Sequence, residues 1–162
     1  MTCTPVGVVS AELSANFVMH PDLSEYLGIS TMTLATVGVD GHPHAAPVYF
    51  VANSELHLFF FSAEDSQHAQ DTAASLRAAA ALHPQCYDWQ EIRGLQLHGN
   101  VYKVEHGPTW EQAWRLYRAK FPFVAELEEA VSRNMLYVFI PHWLRLIDNR
   151  QGFGFKQEWT LP

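Results

Sequence analysis

Cysteine is almost missing from this chain: Cys3 and Cys86 are the two among 162 residues. Nothing in their spacing marks a pair, so a disulfide framework is excluded as the source of stability. Long apolar runs are also absent. Runs such as Leu58 to Phe61 fall far short of the roughly 20 residues that a membrane-spanning helix needs. Basic residues are scarce: 10 Lys and Arg stand against 17 Asp and Glu, a formal net charge of −7. That balance opposes binding to a phosphodiester backbone. No Gly-x-Gly-x-x-Gly follows a strand pattern, and no Gly-x-x-x-x-Gly-Lys loop occurs, which excludes the dinucleotide and triphosphate sites built on those loops. The N-terminus, Met-Thr-Cys-Thr-Pro-Val-Gly-Val-Val, has neither a basic start nor an apolar core of signal-peptide length. The expectation from these absences is a cytoplasmic protein with neither nucleic acid nor membrane as partner.

What is present suits one globular domain. Hydrophobic residues make up 48% of the chain and aromatics 13%, enough to bury a sizeable core at this length. Pro21 to Leu27 reads as a short helix with Gly28 after its end. Alternating runs then flank Asp40-Gly41, the signature of a hairpin whose tight primed turn needs positive φ. Asn53-Ser54 makes a second turn before the strand formers Leu56 to Ser62. Ser66 to Ser75 reads as a helix, and Ile92 to Val104 alternates as a long strand after a loop over Pro84 to Gln90. Leu136 to Ile140, Trp143 to Asp148 and Phe155 to Leu161 read as three closing strands, with Gly152 and Gly154 turning between the last two.

Pro108 opens a further helix behind Gly107, and Ala125 to Arg133 forms another beyond the breaker Pro122. Trp110, Trp114, Tyr117 and Phe121 recur at spacings of four, three and four, which places them on one helical face. A stripe of this kind is either an aromatic ligand box or, the plainer reading, the face that packs on the sheet. Strands interrupted by helices and closed by late strands favour an α+β barrel over a βαβ sheet.

Three motifs carry a family resemblance: His68-Ala69-Gln70, Ile92-Arg93-Gly94, and Gly152-Phe153-Gly154-Phe155-Lys156-Gln157-Glu158-Trp159. In this order they resemble a small uncharacterised bacterial branch of the FMN-binding split-barrel proteins related to pyridoxamine 5'-phosphate oxidase. The resemblance covers about residues 28 to 160 of what it implies is a single FMN-binding domain spanning 1–162. It implies a split β-barrel, antiparallel and Greek-key-like with flanking helices. It also makes Arg77 to His83 the fourth strand, although its alanines favour helix. FMN bound at the interface of a homodimer and a small-molecule substrate follow from it, as does flavin-dependent oxidoreductase chemistry.

The site residues are partly local and partly implied by the resemblance. Backbone N–H groups gather where a strand meets the start of a helix, here from Ser62 to His68, with the hydroxyls of Ser62 and Ser66 and the side chains of Gln67 and His68. The same serines suit ordinary helix capping. The family's Ser-Arg-Lys-like run stands here as Ser66-Gln67-His68, without strong cations and next to Glu64 and Asp65. Arg93 is the compensating cation by resemblance, or else the member of a surface salt bridge. Gly94 and Gln96 belong to the strand that lies close to the flavin in relatives, and Phe153 and Lys156 would reach the partner's FMN. No side chain is assigned as catalytic. True pyridoxamine phosphate oxidases carry a C-terminal Arg-x-His pair that grips substrate, and Asn149-Arg150-Gln151-Gly152 holds none, so that substrate is not expected. Histidine offers the competing chemistry. His42-Pro-His44 and His83-x-x-Cys86 lack the four ligands of a structural zinc site, and no metal is expected. Some split-barrel relatives bind haem, for which His68 or His142 would be an axial ligand; a non-catalytic flavin binder is the other alternative.

Overall fold

The computed structural model describes residues 23–162; the expected helix start at Pro21 and the N-terminal reading lie outside them. An eight-stranded antiparallel sheet curls into a split barrel with few helices around it. After α1 (Ser24–Leu27) come β1 (Thr31–Val37), β2 (Pro43–Tyr49), β3 (Val51–Ala52) and β4 (Leu58–Ser62). Helix α2 (Gln67–Ala74) leads to β5 (Arg77–Leu82) and β6 (Arg93–Val104). Helices α3 (Pro108–Lys120) and α4 (Glu128–Ser132) precede β7 (Met135–Asp148) and β8 (Lys156–Thr160). The strands run in the order β2-β1-β5-β6-β7-β4-β3, with β8 on β7. Strand β5 forms despite its alanines, because pairing with β1 and β6 supplies what intrinsic preference withholds.

Two expectations are corrected. The β1–β2 turn is not a primed two-residue turn: Gly41 alone has positive φ, at 83°, while Gly41 N–H bonds Gly38 O and Gly38 N–H bonds His42 O. Asp40 instead accepts the His42 N–H through Oδ1 at 3.0 Å, an Asx turn that needs no positive φ at the aspartate. The two closing strands expected on either side of Pro141-His142 are one strand of 14 residues, β7. Gly99 pairs with Pro141 and His98 with Trp143, so His142 is the extra residue of a β-bulge. That bulge takes a proline into a paired strand, and Gly99 allows it: a Cβ there would collide with the Ile140 carbonyl.

Two cores flank the sheet. The barrel interior holds Leu34, Phe50, Leu58, Phe60, Leu97 and Phe139, each at most 1% exposed, and burying side chains of this size contributes about 1.5–3 kcal/mol apiece. The second core lies between α3 and the far face of the sheet, where Ala113, Tyr117 and Phe121 meet Phe59, Leu136 and Val138. The aromatic stripe of α3 is therefore a packing face: Phe61 stands edge-on to Trp110, Trp114 and Tyr117 at centroid distances of 6.3, 5.9 and 5.0 Å. The Tyr117 hydroxyl shares its proton between Tyr49 O at 2.6 Å and Phe59 O at 3.1 Å, and burial pushes its pKa well above the ordinary tyrosine range.

Candidate functional site

Strand β4 ends at Ser62, the chain turns, and Ser66 starts α2 with its hydroxyl accepting Ala69 N–H. This short connection makes three side chains converge. Ser62 Oγ lies 3.0 Å from Ser66 Oγ and 2.7 Å from His68 Nε2. The amides of Gln67 and His68 precede the first intrahelical bond, Gln70 N–H to Ser66 O at 3.0 Å, so the positive end of the helix backs the cluster. Burial pulls His68 below its ordinary range, with Asp71 opposing. The imidazole is thus mainly neutral at neutral pH, and its ring meets Phe60 edge-on at 6.1 Å.

Gln67 turns the other way and donates its Nε2 to Asp71 Oδ1 at 2.8 Å. Asp71 is 3% exposed, and its Oδ2 also takes Thr36 Oγ1 at 2.7 Å and faces His44 Nδ1 at 2.8 Å. Burial pushes this carboxyl up, but the three hydrogen bonds outweigh it and hold it below the usual range. Beside α2 opens a groove of about 800 Å³, floored by Val101 and Tyr137 and bordered by Ala69 and Gln70. Lys103 and Glu64 line it as an ion pair at 2.5 Å. Its size suits a small organic ligand or cofactor. Glu64, a source of repulsion when the sequence is read alone, is neutralised locally by Lys103.

The other sequence-predicted residues sit elsewhere. Arg93 donates from Nε to Glu25 Oε1 at 2.8 Å and from Nη1 to Glu91 O at 3.1 Å. Gly94 is used by its own sheet, since a Cβ would lie 2.6 Å from Leu82 O. Gln96 accepts from Arg145 Nη1 at 3.3 Å on the exposed face. Phe153 is 84% exposed and meets Trp89 edge-on at 5.6 Å, while Lys156 opens β8 opposite Ile147. Ser62 pairs with Met135 and Arg93 with Asp148, the two ends of β7. Thirteen residue steps separate those ends, a contour of at most roughly 40 Å at about 3.3 Å per residue along a strand that curls with the barrel. One protomer therefore brings Ser62, Ser66 and His68 together and keeps Arg93, Gly94, Phe153 and Lys156 at the far end.

Sequence reading missed Asp71 and Lys103 in the neighbourhood and weighed His44 only as a metal ligand. Asp71, Lys103 and His44 find partners 27 to 39 positions away, and only the closing of the barrel reveals them. On the exposed face, the His98 ring stacks on Trp143 at 4.4 Å, and Arg145 lies 4.9 Å from the same indole.

The split-barrel sheet agrees with a comparison to protein families, in which residues 21–148 match the pyridoxamine 5'-phosphate oxidase model. The chain belongs to that family. A UPF0306 protein from Enterobacter sp. (strain 638) is 27% identical over 121 residues, covering 74% of this chain and 81% of that one. Among solved structures, HutZ, the heme storage protein from Vibrio cholerae, superposes with a TM-score of 0.66 at 20% identity, covering 76% of this chain and 89% of that one. A heme binding protein from Mycobacterium smegmatis gives 0.69 at 20% identity, covering 88% of this chain and 60% of that one. Likeness at these identities establishes the split-barrel fold and leaves the ligand to be argued from the site. No helix among the described residues is long and apolar enough to cross a membrane.

Proposed function

We propose that this protein binds FMN and acts as a small flavin-dependent oxidoreductase on a small-molecule substrate other than pyridoxamine phosphate. The observation that carries the reading is the convergence of Ser62 Oγ, Ser66 Oγ and His68 Nε2 at the amide end of α2. Two hydroxyls, an imidazole and free helix amides form a donor set that fits a phosphate. FMN supplies hydride chemistry when bound. The protein's part is to seat the phosphate, shield the flavin from water and orient the ring. Titration of the purified protein with FMN, followed by flavin absorbance and fluorescence, tests the reading; a protein that ignores added FMN overturns it.

His68→Asp places a carboxylate in the donor set. FMN affinity is expected to fall by about tenfold or more while riboflavin, which has no phosphate, keeps its affinity. Equal losses for the two ligands would place the phosphate elsewhere.

The second reading is haem, favoured by the two haem-handling neighbours and by His142, which is exposed at the β7 bulge. A Soret band on adding hemin, lost in His142→Ala or His68→Ala, supports it over flavin.

A homodimer belongs to the same proposal. The outward residues Ala45, Pro47 and Tyr49 of β2 and Gln96 and His98 of β6 are exposed, and exposed sheet faces of this kind serve as interfaces. Phe153 and Lys156 of one copy would then approach the α2 cluster of the other, joining two half-sites that a single chain holds far apart. A ligand that binds only the dimer stabilises it by mass action. Sedimentation of a dilution series is expected to show a tighter dimer with FMN than without; a monomer that keeps full FMN affinity would count against it.

A further inference from the structure

The donor set at the start of α2 lacks a charge to match a phosphate dianion. His68 is held mainly neutral by burial. Arg93 is bound to Glu25 at the far end of β7, and Lys103 is bound to Glu64. Another imidazole stands near, on the first inward position of β2. His44 Nδ1 lies 2.8 Å from Asp71 Oδ2, and Asp71 Oδ1 receives the Nε2 of Gln67, the first residue of α2. His44 is thus two hydrogen bonds from the helix end that carries Ser66 and His68.

The arrangement fixes which way the imidazole works. Asp71 is 3% exposed, whereas the His44 side chain is 35% exposed, so the carboxylate sits on the buried side and the ring turns its other edge outward. With Nδ1–H donated to Asp71, Nε2 is the nitrogen left to face a ligand, and the carboxylate behind the ring fixes its orientation. Space is provided by Gly38: a Cβ there would lie 3.1 Å from His44 Cε1 and 2.7 Å from Asp40 Oδ1. The charged groups beside the ring are Asp71 on α2 and Asp40 in the β1–β2 turn, with Thr36 of β1 and Gln67 as neutral partners of Asp71.

Resting on the FMN reading above, we propose that His44, oriented by the buried Asp71, is the cation of the phosphate seat, taking the place of the basic residues that the Ser66-Gln67-His68 run does not contain. The ligand chemistry it recognises is a phosphate monoester dianion. Asp71 is a positioning residue: it holds the ring and neutralises no part of the ligand.

The test compares FMN and riboflavin affinities by fluorescence quenching in wild type, His44→Gln, His44→Arg and Thr36→Val, with thermal melts confirming the fold of each. In His44→Gln the ratio of FMN to riboflavin affinity is expected to fall about tenfold, the size of one charge-assisted hydrogen bond. His44→Arg keeps a donor for Asp71 and a permanent charge, so the ratio is expected to equal or exceed that of wild type. Thr36→Val removes an Asp71 partner away from the ligand and is expected to leave the ratio unchanged. An unchanged ratio in His44→Gln, or equal losses of both flavins, reduces His44 to a structural role and overturns the assignment. Should His44→Gln not fold, a ratio in His44→Arg below that of wild type overturns it as well. Absence of flavin binding in wild type sinks the FMN reading itself, a different result from either.

Discussion

Replacing Asp71 with alanine is expected to lower the unfolding free energy by about 3 kcal/mol, because it strands the buried Thr36 hydroxyl and removes the shared partner of the more exposed Gln67 amide and His44 imidazole. For a domain of this size that corresponds to a melting temperature roughly 6–12 °C lower. The aspartate pins α2 to β1 and β2, so its loss loosens the barrel end that presents Ser62, Ser66 and His68. The pH dependence carries a sign. The folded carboxyl lies below its unfolded value, so its contribution is present above the ordinary aspartate range and is lost as pH falls through the lowered folded value. Wild type is therefore expected to lose its advantage over Asp71→Asn in strongly acidic solution. Urea melts at pH 7 and pH 3 measure this; an equal gap at both values would show that the charge contributes nothing.

The second large effect concerns Lys120, a cation with no carboxylate partner among the described residues. Its Nζ donates to Leu27 O, Ile29 O and Phe50 O at 2.9, 2.7 and 3.0 Å and sits 4.1 Å from the centroid of the Phe50 ring. Three carbonyls match the three N–H donors of an ammonium, and a neutral amine satisfies only two. Burial opposes the charge and lowers the group to about 8. Lys120→Met is expected to destabilise by about 2 kcal/mol at pH 7, since the carbonyls lose their donor while the apolar stem is kept. Because the folded value lies below the unfolded one, the wild-type unfolding free energy gains a rising component between about pH 8 and the ordinary lysine range. The variant lacks it. Thermal melts across pH 7 to 10 compare the two, and parallel curves would remove Lys120 as the cause.

Most elements were legible because their signals are local. Ser66 caps α2, Pro108 opens α3 and Gly41 takes the positive φ of its turn, each read from a few neighbouring residues. The serine–histidine cluster was legible for the same reason, since Ser62, Ser66 and His68 lie within six positions and one turn brings them together. What depended on distant chain was not. A proline at 141 reads as a break unless the partner strand is known to offer Gly99 and a bulge. Arg93 looked available until α1, 68 positions earlier, supplied Glu25. Asp71 and Lys120 are single polar letters in helical stretches, and their meaning comes from carbonyls and hydroxyls contributed by residues 35 to 93 positions away.

Strand β7 bonds β6 along its whole length, β4 along its first part and β8 along its second, and it faces both cores, with Tyr137 and Phe139 toward one and Leu136 and Val138 toward the other. Neither core can admit solvent without parting this strand from a neighbour. Its central amides are therefore expected to exchange with deuterium more slowly than those of the short edge strand β3 and of β8.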